Sequence, residues 1–250
     1  MSSESKVDLL WTGGWDSTFQ LLRLLLIERR VVEPFYLIDE DRRSSGVEMR
    51  TMRDIGRLVR SKYPFTKELL LKTRYHAVSD ISSDDVIDHA FERIRERRYL
   101  GEQYKWIASF CKEQHVNGLQ LCIHRDDKAH ELLAALVEKG VDGCYRLQAD
   151  TDGSYEHQVF KYFTFPLMEY TKTAMFDIAV KNNFTEVMEM TWFCHRPTRK
   201  GRPCGVCNPC IYTIEEGLGH RVPISGRLKM ALKTRAIMPL QAMLRRQRKY

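Results

Sequence analysis

Short apolar runs alternate with longer stretches of helical period through the first 150 residues. The run Val7-Asp8-Leu9-Leu10-Trp11 stops at Gly13-Gly14, and an apolar helix pattern follows from Asp16 to about Arg30, with Phe19, Leu21, Leu22, Leu24, Leu25, Leu26 and Ile27 covering nearly its whole circumference. A helix apolar all round belongs against a sheet. Residues 32–39 predict a second strand, 47–63 a basic helix ended by Pro64, and 68–72 a third strand. The pattern Ser82-x-x-Asp85 predicts a capped helix start, running through a charged stretch to Arg98, and a further helix is expected over 100–115. Residues 118–123 read as a fourth strand with His124-Arg125-Asp126-Asp127 at its end. Ala129, Leu132, Leu133, Leu136 and Val137 then have the spacing of an amphipathic helix, and 145–149 predict a last strand before the turn-like 150–154. This alternation predicts an α/β fold: a parallel sheet with helices on both faces.

In such sheets, ligands lie outside the carboxyl ends of the strands. The turn Thr12-Gly13-Gly14-Trp15-Asp16-Ser17-Thr18, the end of strand two at Asp39, and Asp126/Asp127 all fall there. Glycines allow close backbone approach, and the first N–H groups of the helix favour an anion. Thr12, Ser17 and Thr18 add hydroxyls, so a phosphate or pyrophosphate is the natural guest. A plain strand–helix turn capped by Asp16 or Ser17 is the alternative. Asp126 and Asp127 read equally well as holders of magnesium or a substrate amine and as caps of the following helix.

The last quarter carries Cys194, Cys204, Cys207 and Cys210 in the spacing C-x9-C-x2-C-x2-C. Two-residue gaps let one turn present two thiolates, and four thiolates close a tetrahedral zinc site with no open position, so the ion is structural. A redox Cys-x-x-Cys pair and an iron–sulfur cluster are the other readings. Cys111, Cys122 and Cys144 lie in apolar contexts and read as buried thiols.

Length and composition refine this picture. The chain has 250 residues, 43% hydrophobic and 29% charged, within the range of a globular protein. No apolar run reaches the roughly 18 residues that a membrane span needs, and the first residues show no signal-peptide pattern, so a cytoplasmic protein without a membrane partner is expected. The formal charge of +7 is uneven. Nine lysines and arginines and no acidic residue follow Glu216, so taking those nine from +7 leaves −2 for residues 1–220. The division expected is an α/β domain over 1–190, a metal lobe over 191–220 and a basic helical tail over 221–250. That tail reads as a nucleic-acid contact, a docking helix or a solvated terminus.

The turn resembles the S-G-G-x-D-S loop of the PP-loop ATP pyrophosphatases, with Thr12 keeping the first hydroxyl. Joined to the cysteine cluster, it resembles the 7-cyano-7-deazaguanine (preQ0) synthase family. Pro166-Leu167-Met168-Glu169-Tyr170-Thr171-Lys172-Thr173 is similar to that family's P-L-x-x-x-T-K-x-E, and Thr191-Trp192-Phe193-Cys194 to its T-x-S-C. The resemblance implies an adenine nucleotide alpha hydrolase-like (Rossmann-like) sheet and a C-terminal zinc lobe. It implies ATP, Mg2+ and Zn2+, and a homodimer. Thr12, Gly13, Gly14, Asp16, Ser17, Thr18 and Asp39 would bind the nucleotide, with Asp16, Ser17 and Lys172 catalytic. Family members adenylate the carboxylate of 7-carboxy-7-deazaguanine; an amine then displaces AMP, and a second activation gives the nitrile. Here the family's Y-P-D-C-R, G-R-N and Y-G-Q-R-H segments are absent, so an altered acceptor is expected. Transfer to a protein amine, as in diverged relatives from bacterial defence operons, is one form. A tRNA-modifying PP-loop enzyme that adenylates a base, or a binding module on this fold, is the competing class.

Overall fold

A computed structural model describes residues 6–228 and 230. Expectations for 231–250, and so for most of the basic tail, lie outside them. The strands in chain order are β1 (Val7–Leu10), β2 (Val32–Ile38), β3 (Arg74–Ala77), β4 (Leu119–Gln120), β5 (Val137–Lys139), β6 (Tyr145–Leu147) and β7 (Phe163–Thr164). The α-helices are α1 (Trp15–Leu22), α2 (Ser45–Lys62), α3 (Thr66–Leu69), α4 (Asp85–Arg95), α5 (Gln103–Glu113), α6 (Lys128–Leu133), α7 (Tyr155–Phe160), α8 (Lys172–Lys181), α9 (Thr185–Glu189) and α10 (Asn208–Thr213).

The described chain forms two compact units. One holds the residues up to Glu40 with Thr51–Thr191; the other holds Asp41–Arg50 with those from Trp192 onward. In the first, five parallel strands run in the order β3-β2-β1-β4-β7. β1 sits at the centre, with Leu10 paired to Phe35 on one side and Leu9 to Gln120 on the other.

Alternation along the strands sets the two faces. Phe35, Leu37, Leu119 and Leu121 join one core with Ile87 and Phe91 of α4, Phe110 of α5 and Phe160 of α7. Gln120, between Leu119 and Leu121, points the other way. There it accepts a 2.7 Å hydrogen bond from the amide of Gln20 on α1, both side chains being buried. On that side α1 packs with α8 and α9, and Phe19 meets Phe184 at 6.3 Å. The parallel sheet covered on both faces is thus as the sequence predicts.

Several local expectations are corrected. Residues 68–72 are mainly the end of α3, where Glu68 and Leu69 complete a single helical turn; only Leu70 bridges to Val32, and the strand comes later as β3. Asp84, not Ser82, caps α4, accepting from the Ile87 N–H at 3.1 Å. The amphipathic helix stops at Leu133, and Val137 begins β5, which pairs antiparallel with β6 in a separate two-stranded sheet. The last strand of the main sheet is therefore β7, not 145–149. The first helix also changes character: it widens to a π-helix over Arg23–Ile27, and Arg29 at φ 57 ends it.

Candidate functional site

β1 ends at Leu10 and α1 begins at Trp15, leaving a four-residue turn at the carboxyl end of the central strand. Gly13 takes φ 70, a left-handed conformation in which glycine is at ease. Gly14 occupies the cap position and brings no side-chain acceptor to the first helical turn. The turn closes on a hydroxyl pair: the Thr12 N–H donates to Ser17 Oγ at 3.3 Å, and the two side-chain oxygens lie 3.3 Å apart. Thr12 is half-buried and Ser17 almost wholly buried, so both hydroxyls are held in place. Two hydroxyls beside a helix start form a donor cluster fit for an anion.

Thr18 departs from expectation. It is fully buried, and its hydroxyl accepts from the indole N–H of Trp11 at 3.0 Å, so it braces the turn from beneath. Asp16 stays half-buried at the mouth, with Oδ1 3.7 Å from Nε2 of His124. The backbone N–H of Asp126 donates to Nδ1 of this buried histidine at 3.2 Å, which sets its tautomer with the hydrogen on Nε2. His124 was not singled out from the sequence; its place directly after an apolar strand end was the available signal. Asp126 flanks the same ring at 3.8 Å. Asp127 follows its capping reading, accepting from the Ala129 N–H at 2.8 Å to start α6.

Asp39 lies half-buried one residue beyond β2, the neighbour of β1. Lys172 is the first residue of α8, which Thr171 caps by accepting from Ala174 N–H at 3.2 Å. The segment before Lys172 is tied to α1: Arg23 donates to the Tyr170 hydroxyl at 2.8 Å and stacks over its ring, and Phe19 meets the same ring at 5.9 Å. Burial pushes the Cys111, Cys122 and Cys144 thiols up, so they stay neutral, as inert buried thiols do.

In the second unit Cys194, Cys204, Cys207 and Cys210 converge, with all four sulfurs within 4.8 Å of one another. Three of the sulfur pairs stand 3.5, 3.9 and 3.9 Å apart. Four thiolates about 2.3 Å from one tetrahedral ion stand roughly 3.8 Å apart, so the set fits a single ion. A polynuclear cluster would hold its cysteines further apart. Backbone N–H groups of Cys204, Gly205 and Val206 donate to the sulfurs of Cys194, Cys210 and Cys204 at 3.2, 3.4 and 3.4 Å. Hydrogen bonds from Cys210 and from backbone N–H groups draw the Cys194 thiol down to about 5. Gly205 at φ 80 shapes the turn, and Pro209 starts α10 beneath Cys210. Cys207 holds the cap position of that helix. His195 is a bystander whose pKa falls through burial and the nearby Arg42 charge.

The first unit thus carries a glycine turn with paired hydroxyls at the central strand of a parallel sheet, and the second unit carries a four-cysteine set that fits one metal ion. Residues 148–218, which carry Lys172 and all four cysteines, match the family model of the queuosine biosynthesis protein QueC. That match spans 71 of the 250 residues. No curated protein sequence matches it. Among solved structures it is similar to U34-tRNA thiolase NcsA from Methanococcus maripaludis, crystallised with its [4Fe-4S] cluster, at 14% identity and a TM-score of 0.42, covering 93% of this chain and 72% of that one. A predicted subunit of tRNA methyltransferase from Methanocaldococcus jannaschii is similar at 17% identity and a TM-score of 0.37, covering 70% of this chain and 74% of the other. No described helix is long and apolar enough to cross a membrane.

Proposed function

We propose that the protein uses ATP to adenylate the carboxylate of a 7-carboxy-7-deazaguanine-type substrate, and that an amine then displaces AMP to give an amide or, after a second activation, a nitrile. The observation that carries this reading is the Thr12–Ser17 hydroxyl pair at the carboxyl end of β1, in a chain whose 148–218 segment matches QueC. A carboxylate is a poor electrophile; joined to AMP it becomes a good one. Attack of the carboxylate oxygen on the α-phosphorus breaks the bond to the β-phosphate, and pyrophosphate leaves with the charge. Donors fixed around that departing charge, at Thr12, Gly14 and Ser17, lower the barrier. Lys172 neutralises phosphate charge as it shifts, and Asp39 is the acceptor for the ribose. Asp16 and Asp126, on either side of His124, are the carboxylates for a magnesium ion that shields the triphosphate.

The four cysteines hold zinc in this reading. Zinc supplies a fixed crosslink to a loop-rich unit, and four thiolates leave it no position for a substrate. The amine acceptor is ammonia or an amine on a protein, the latter suiting a defence role. The protein acts as a cytoplasmic homodimer, and its basic C-terminal stretch is a contact for nucleic acid.

The test is mass spectrometry of a reaction containing the protein, Mg-ATP and 7-carboxy-7-deazaguanine, with and without ammonia, using Ser17→Ala as control. AMP with an amide or nitrile is the expected product set. AMP without a small-molecule amide moves the acceptor to a protein amine. ATP untouched with this carboxylate, but cleaved to AMP with RNA, would overturn the reading in favour of base modification.

A further inference from the structure

α1 turns a polar edge toward β4 and the segment that follows it. Asp16, Gln20 and Arg23 fall at i, i+4 and i+7, the spacing of one helix face, where apolar residues would carry no desolvation cost. Gln20 and Gln120 are both buried, and their 2.7 Å hydrogen bond ties α1 to β4. Arg23 is tied at 2.8 Å to Tyr170, whose carbonyl accepts from the Arg125 N–H at 3.0 Å. His124 stands between these two ties, and its own carbonyl accepts from the Asp127 N–H at 3.0 Å. It is therefore held in a fixed place opposite the first turn of α1.

The two ring nitrogens have separate tasks. Nδ1 accepts from the Asp126 N–H at 3.2 Å, so the hydrogen lies on Nε2. Nε2 faces Asp16 Oδ1 at 3.7 Å, just beyond a hydrogen bond, which needs roughly 3 Å. The histidine side chain is 7% exposed and the aspartate 30%, so the carboxylate is the partner free to move. A small rotation about its own side-chain bonds closes the gap. Hydrogen bonds in active sites are commonly long before the ligand binds and tighten with it. The bond at Nδ1 only shapes the turn into α6, a task for any short acceptor; the ring is long enough to reach α1 as well.

We infer that His124 is a positioning residue for Asp16: its Nε2–H takes one carboxylate oxygen when nucleotide enters and leaves the other for the ligand. The inference rests on the adenylation reading above, in which Asp16 serves the triphosphate, and deepens it.

Two substitutions separate the nitrogens. Asparagine places an acceptor where Nδ1 stands and nothing at Nε2. Glutamine places an amide donor near Nε2 and leaves the Asp126 N–H without its acceptor. His124→Asn is therefore expected to melt close to the wild type, yet to lose kcat for AMP formation by up to about 100-fold, with KM for ATP little changed. His124→Gln is expected to melt lower and to recover most of that kcat. If activity instead follows stability across the pair, the ring is structural and the inference falls. Nitrogen-15 spectra of the imidazole test it without turnover. The Nε2–H signal should shift when Mg and a non-hydrolysable ATP analogue saturate the wild type, and shift less in saturated Asp16→Asn. If that pattern appears but the wild type makes no AMP from 7-carboxy-7-deazaguanine, the adenylation reading falls and the positioning stands. If AMP forms but the hydrogen sits on Nδ1, or the signal ignores Asp16, the inference falls and the adenylation reading stands. With neither AMP nor the shift, both fall.

Discussion

The phosphate turn and the cysteine turn solve the same electrostatic problem with opposite partners. Each is a short bend built on a glycine at positive φ, Gly13 at 70° and Gly205 at 80°. Each aims backbone N–H groups at a concentration of negative charge. In the cysteine turn the acceptors are the chain's own: the N–H groups of Cys204, Gly205 and Val206 all end on cysteine sulfurs. In the glycine turn the Thr12 N–H is spent internally, on Ser17, and in the adenylation reading the charge arrives with a substrate. The first design closes on itself and stores stability. The second, in the adenylation reading, is completed only when substrate binds.

Removing the metal should have the largest effect. Chelation, or Cys204→Ser, is expected to cost the second unit most of an apparent binding energy on the order of 10 kcal/mol, seen as loss of bound metal and of its melting transition. The same treatment should leave melting of the first unit in place, since none of its residues is a ligand. Gly205→Ala comes next. A Cβ there would meet the backbone of Gly226 at 2.4 Å, and the residue would also be strained by its φ of 80°. A cost of about 3–5 kcal/mol is expected in chemical denaturation, as for other severe backbone lesions.

Ser17→Ala sharpens the contrast from the other side. AMP formation should drop by about 100-fold, the loss typical of one fixed oxyanion donor, while the melting temperature barely moves. Gly13→Ala should cost roughly 1–2 kcal/mol from its left-handed φ, with a larger proportional loss in activity than in stability. The smallest effect belongs to Thr171→Ala, which removes the cap of α8: about 1 kcal/mol of stability and a modest fall in turnover through Lys172.

Both turns were legible in the sequence because their chemistry requires particular residues at fixed spacing. The central strand, the glycine turn and the start of α1 read directly, and so did the four-sulfur set. Much of the remaining site was not legible. β7 contributes only Phe163 and Thr164, too few to show a period of two, and its flank Phe-Lys-Tyr-Phe-Thr-Phe has no turn residue to mark it. Val137 continued a helical spacing that begins at Ala129, yet its pairing with Leu147 places it in a strand. The apolar run at 68–72 had strand composition, but Pro64 two residues before α3 favours a helical turn, and Thr66 locks it by donating to the Tyr63 carbonyl at 2.7 Å. His124 and Arg125 carry no spacing signature at all; only the folded sheet shows that a strand end brings them to Asp16.

The clasp between Arg23, Phe19 and Tyr170 has a mechanical meaning. α1 carries Ser17 at its start, and the clasp at its far end grips the peptide two residues before Lys172. Serine and lysine are therefore mounted on one stiff beam, and their separation is set when the chain folds. Loosening the clasp with Tyr170→Ala would leave every group that touches phosphate intact, yet each turnover would have to begin by bringing the lysine back into line.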